Sequence, residues 1–113
     1  MNTYMIPQNV QKCIDACNEC MKACEQCFSA CLQEPDVGAR VHCISMLRDC
    51  ADICSLTAQY LARNSMSAKQ ICSLCASICE ACAEHCSKFK DEHCKTCVEM
   101  CKKCAEVCRN MAA

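Results

Sequence analysis

Residues Cys13 to Cys31 read CIDACNECMKACEQCFSAC, six cysteines separated by steps of 4, 3, 4, 3 and 4. Steps of three and four return to one face of an α-helix, because a turn takes about 3.6 residues. In a coiled-coil seam that face carries leucine at the a and d positions. Here it carries thiols. The stretch predicts one wall of a helical bundle whose inner face is sulfur.

The pattern recurs along the chain. The other cysteines form three groups: Cys43, Cys50 and Cys54; Cys72, Cys75, Cys79, Cys82 and Cys86; Cys94, Cys97, Cys101, Cys104 and Cys108. Leu47, Thr57 and Leu61 complete the register of the second, sparser group. With Cys17, Leu47, Cys72 and Cys94 as a positions, every cysteine falls on a or d. The flanking positions are apolar and lopsided. Ile14, Met21 and Phe28 face away from Ala16, Ala23 and Ala30; Met46, Ile53 and Tyr60 oppose Ile44, Ala51 and Ala58. The later helices repeat this with Ile71 and Ile78 against Ala76 and Ala83, then Met100 and Val107 against Val98 and Ala105. Such flanks let neighbouring helices pack closely and leave the axis to sulfur.

Three breaks divide the pattern. Glu34 to Gly38 (EPDVG) joins a proline to the sole glycine, Arg63 to Ser67 (RNSMS) supplies polar breakers, and Lys88 to His93 is KFKDEH. They predict helices over about 8–34, 39–63, 67–88 and 91–111 in one domain spanning 1–113, with Ser67 and Asp91 as N-caps. Short connections make consecutive helices antiparallel, so the expected fold is all-α, an up-down-up-down four-helix bundle.

Composition narrows the function. Twelve Lys and Arg against 13 Asp and Glu leave no basic field for nucleic acid or an anionic membrane. No stretch approaches a transmembrane span, and MNTYMIPQNVQK lacks the features of a signal peptide. The expected compartment is the cytoplasm, where thiols stay reduced. No Ser/His/Asp set, phosphate loop or carboxylate pair points to catalysis, so an enzyme is not expected.

Nineteen thiols then need a chemistry. Cβ atoms at i and i+4 lie about 5–6 Å apart on a helix, too far for a disulfide without distortion. A metal bridges that gap, since two thiolates in line on one ion, at about 2.3 Å each, are about 4.5 Å apart. Eight C-x-x-x-C pairs fit: Cys13–Cys17, Cys20–Cys24, Cys27–Cys31, Cys50–Cys54, Cys75–Cys79, Cys82–Cys86, Cys97–Cys101 and Cys104–Cys108. Cys43, Cys72 and Cys94 are left to bridge between helices. Soft thiolates select Cu(I), zinc or iron–sulfur clusters. A tetrathiolate zinc unit keeps two negative charges, which is costly along a dry axis. Cu(I) takes two or three sulfurs, and one ion per thiolate gives a nearly neutral column of about 15–20 ions. An iron–sulfur electron carrier and a zinc or cadmium thiol buffer are the alternatives. The ferredoxin spacing C-x₂-C-x₂-C-x₃-C-P is absent.

A cysteine-lined four-helix bundle with repeated C-x-x-x-C from Cys13 to Cys108 resembles the bacterial copper storage proteins, in particular their cytosolic branch. The resemblance implies storage and detoxification of many Cu(I) ions on core thiolates. It also implies a homotetramer of bundles. A copper chaperone or a small-thiol donor is the expected partner.

Antiparallel packing predicts which residues share an end. Cys31, Cys43, Cys86 and Cys94 should meet His42, His85 and His93, with His85 and His93 as candidate ligands at a polar mouth. Cys13, Cys72 and Cys108 should meet Tyr60, Leu61, Met5, Met66 and Met111 at a plugged end. Phe28, Tyr60 and Phe89 are expected as outer contacts.

Overall fold

The computed structural model describes residues 4–113. Helix α1 runs Gln8–Leu32, α2 Val41–Ala62, α3 Ala68–Cys86 and α4 Glu92–Ala112. Each packs against its two neighbours in the order α1, α2, α3, α4 and back to α1, leaving α1 and α3 on one diagonal and α2 and α4 on the other. This is the antiparallel four-helix bundle that the heptads require. It measures 56 by 25 by 18 Å.

The connections show why the helices stop. After α1 the chain passes Pro35 into a 3-10 turn, Val37–Arg40, which leads directly into α2. Gly38 lies inside that turn with negative φ, so the sequence break depends on Pro35 and the turn more than on glycine freedom. At the end of α2, Asn64 adopts φ 53°, in the left-handed region. Ser65 N–H then reaches Tyr60 C=O at 3.0 Å and Asn64 N–H reaches Leu61 C=O at 3.2 Å, a Schellman closure with asparagine in the role of glycine.

The two predicted N-caps hold their positions but not their side-chain bonds. Neither Ser67 nor Asp91 caps its helix through its side chain. Ser65 Oγ accepts from Ser67 N–H instead, and the Asp91 carboxylate is drawn to Arg40.

The core follows the heptads. Eighteen cysteines are 0 % exposed and Cys43 is 2 % exposed, with Leu47, Thr57 and Leu61 buried in the same column. Thr57 satisfies its hydroxyl by donating to Ile53 C=O at 2.7 Å. The small flank residues Ala16, Ala23, Ala51, Ala58, Ala76, Ala83 and Ala105 are buried between helices, while Met21, Phe28, Met46, Tyr60, Met100 and Val107 pack half-buried around them. Fixing the helix spacing therefore falls to alanines and their bulky opposites, and the axis is free for another task.

Candidate metal centre

The thiols of all four helices converge on one column. Neighbouring sulfurs on one helix approach to 3.9 Å at Cys27–Cys31, Cys75–Cys79, Cys97–Cys101 and Cys104–Cys108. Approaches between helices are just as close. Cys20 lies 3.7 Å from Cys101, Cys24 3.7 Å from Cys97, Cys50 3.7 Å from Cys79, and Cys17 3.8 Å from Cys104 and Cys108. The C-x-x-x-C pair is thus one rung among many: each sulfur has partners on its own helix and across the axis.

Several four-cysteine sets have all their sulfurs within 4.8 Å of one another, among them Cys17, Cys75, Cys104, Cys108 and Cys20, Cys24, Cys50, Cys101. Cys24, Cys82, Cys97 and Cys101 form another. Cys50 is the hub from the sparse helix, touching Cys20, Cys79 and Cys101 on the three other helices. Three sulfurs around one ion at about 2.3 Å stand about 4.0 Å apart, whereas two in line need about 4.5 Å. The observed spacing matches the three-coordinate arrangement and requires a slight spreading for the two-coordinate one.

The expected grouping at the histidine end holds in part. Cys31 lies 3.9 Å from Cys94, and Cys43 lies 3.1 Å from Cys86, closer than the other sulfur pairs given above. His93 joins them: Nδ1 is 3.4 Å from Cys27 Sγ and 3.6 Å from Cys94 Sγ, and Cys27, Cys31, His93 and Cys94 form one potential ligand set. Its Nε2 is buried without a hydrogen bond, facing Glu34 Oε1 at 3.7 Å and Asp91 Oδ2 at 4.0 Å. His85 is half-buried in the last turn of α3 with no side-chain hydrogen bond to a thiol, and His42 is exposed at the start of α2. Burial and the neighbouring charge of Cys31 push the Cys94 thiol up to about 12.

At the opposite end Cys13 and Cys108 meet at 3.8 Å, and Cys72 and Met111 line a cavity of about 300 Å³ with Tyr4, Leu61 and Met66. Tyr60 lines the groove between α2 and α3 with Leu56 and Leu74, as its flank register requires. The aromatics expected as outer contacts each carry an arginine: Arg48 over Phe28, Arg63 over Tyr60 and Arg40 over Phe89. Arg40 had not been singled out in the sequence. It is buried, and its guanidinium reaches Cys31 and Cys94 at 3.5 and 3.7 Å.

A family model described as copper storage protein matches residues 6–113. The chain belongs to the copper storage protein family. Among family structures, the Cu(I)-bound copper storage protein BsCsp3 of Bacillus subtilis is 47% identical, with a TM-score of 0.90 over 94% of this chain and 100% of that one. A cytosolic copper storage protein of Streptomyces lividans, solved with five coppers, is 34% identical with a TM-score of 0.90, covering 93% of this chain and 92% of that one. The uncharacterized cysteine-rich protein YhjQ of Bacillus subtilis strain 168 is 47% identical over 69 residues, 61% of this chain; the match spans 64% of that relative's length. For a copper storage protein, the sulfur column is the feature that the fold exists to present. No helix among the described residues is long and apolar enough to cross a membrane.

Proposed function

We propose that this chain stores Cu(I) on its core cysteines, about 15–20 ions per bundle, in the cytoplasm. The observation that carries the reading is a buried column of 19 free thiols joined across all four helices by sulfur contacts, most of them 3.7–3.9 Å. Burial in a dry interior favours the neutral form of a thiol. Exchanging its proton for one Cu(I) forms a sulfur–copper bond, releases the proton and leaves the axis neutral, so filling avoids the penalty of burying charge. A tetrahedral divalent ion would fit the four-cysteine sets in size, but it displaces four protons and leaves two negative charges in a dry interior. Charge favours copper over zinc or cadmium, and nothing among the described residues offers the cysteine-bearing loop that an iron–sulfur site uses.

The ligands would be Cys13, Cys17, Cys20, Cys24, Cys27, Cys31, Cys43, Cys50, Cys54, Cys72, Cys75, Cys79, Cys82, Cys86, Cys94, Cys97, Cys101, Cys104 and Cys108. His93 would serve at the mouth, taking Cu(I) from a donor and passing it to Cys27 and Cys94. The Cu(I)-bound relative and the five-copper Streptomyces structure support the assignment of the ion. Leu56 and Leu74, both exposed along the α2–α3 groove, support assembly into the expected homotetramer.

Anaerobic titration of the reduced protein with Cu(I) against a competing chelator tests the function. Saturation at about 15–20 ions is expected, and saturation near two to four would overturn storage. A brown protein carrying stoichiometric iron and sulfide would favour the electron-carrier reading instead.

A further inference from the structure

Among the described residues, the one buried charged side chain is Arg40, at the His93 end of the column and 4 % exposed. Its position follows from the 3-10 turn, which delivers the side chain across the open end of the bundle before α2 begins. The guanidinium donates through Nη1 to Asp91 Oδ2 at 2.7 Å and through Nε to Asp36 Oδ1 at 2.8 Å. Nη2 lies 3.8 Å from Glu34, and the group stacks 4.4 Å over the Phe89 ring. A cation this deep persists because carboxylates from both flanking loops pair with it. The second N–H of Nη1 points inward, shared between Cys31 Sγ at 3.5 Å and Cys94 Sγ at 3.7 Å. These two sulfurs belong to the set that includes Cys27 and His93.

We propose that Arg40 is a latch over this end of the column, holding the lone pairs of Cys31 and Cys94 and swinging outward before a soft monovalent cation can reach them. An N–H aimed at a sulfur occupies the electrons that a metal would use. The guanidinium also repels an arriving cation at short range in a poorly screened site. Asp36 is half-exposed and Asp91 and Glu34 are partly exposed, so the latch is anchored at its solvent edge and can be loosened from outside. Arg40 is thus a gating residue that sets the rate of exchange, while the thiols set capacity. The inference rests on the reading of the His93 end as the mouth.

The test uses the full-length reduced apoprotein as wild type, Arg40→Gln and Asp91→Asn, the latter removing the charge that pairs with Nη1. Labelling of individual cysteines by iodoacetamide is followed by peptide mass spectrometry, and uptake from a Cu(I)–chelator complex by stopped flow. Arg40→Gln should speed labelling of Cys31 and Cys94 by about tenfold, equivalent to about 1.4 kcal/mol off the opening barrier, with Cys50 and Cys79 unchanged. Loss of a cation by itself disfavours thiolate and slows alkylation, so acceleration reports opening. Uptake should quicken in parallel with unchanged copper at saturation, and Asp91→Asn should give a smaller effect in the same direction. Raising salt from about 0.05 to about 0.5 M should quicken uptake in wild type and not in Arg40→Gln. Unchanged or slower labelling of Cys31 and Cys94 in both variants overturns the latch. So does faster labelling of Cys50 and Cys79 alongside, which reports general loosening, or faster labelling with unchanged uptake. Failure of wild type to bind many ions would overturn the storage reading while the labelling comparison stands.

Discussion

Leu47→Cys tests whether axis position alone makes a residue a store. Leu47 is 0 % exposed in the column between Cys43 and Cys50, so the substitution completes a C-x-x-x-C pair with Cys43. The apoprotein should be weakened. Replacing the branched side chain removes the equivalent of about two buried methylenes, about 1.6 kcal/mol. Incomplete collapse of the cavity adds about 1 kcal/mol. Unfolding entropy for 113 residues is about 0.24 kcal/mol/K, so a loss of about 2.5 kcal/mol lowers the apo melting temperature by about 10 °C. Copper should reverse the sign of the effect, because the added thiolate supplies a ligand that binds only the folded chain. Thermal unfolding of reduced apo and loaded protein, with anaerobic Cu(I) titration, measures both. About one further ion per chain is expected. A folded variant with the predicted apo loss but no gain in bound copper would refute the idea that register on the axis defines the store.

Two further outcomes follow from the same geometry. His93→Ala should slow Cu(I) uptake with little change in capacity, whereas His85→Ala should leave the rate near wild type, since His93 alone of the two contacts thiols; stopped-flow uptake in the two variants separates them, and an unchanged rate in His93→Ala would remove the histidine mouth. The Cys94 thiol, pushed from its ordinary 9.0 up to about 12, binds its proton more tightly folded than unfolded. Its contribution to stability is complete below about pH 9 and is lost as pH climbs towards about 12. Apoprotein should therefore melt progressively lower across that window while copper-loaded protein, with that proton replaced, changes less; equal pH dependence of the two forms in calorimetry would contradict this.

The bundle and its sulfur column were legible because one signal, the three-four spacing, fixes helix, inner face and antiparallel neighbours together. Cys31, Cys94 and His93 could be placed at one end from topology alone. Helix ends were less legible: α1 stops at Leu32 and α3 at Cys86, short of Glu34 and Lys88, because the chain turns as soon as the last inward cysteine is seated. The assignment of Asp91 as a side-chain cap failed because a buried guanidinium competes for the same carboxylate. Arg40 itself gave little local warning, standing at the end of a turn between an alanine and a valine. The available signal was collective: Glu34, Asp36 and Asp91 gather at the end that topology assigns to Arg40, with Phe89 beside them. Phe89, read as an outer contact, is the ring beneath that cation.

The alanine and bulky flanks have a consequence for recognition. They fix the distance between helices with side chains that take no part in binding, while every thiol lies at 2 % exposure or less. A partner touching the sides of the bundle meets the same surface on an empty molecule and on a full one. News of the contents can reach the outside only at the two ends, where the column meets solvent-facing residues. Any cellular component that must tell a full container from an empty one has to read it from the tip.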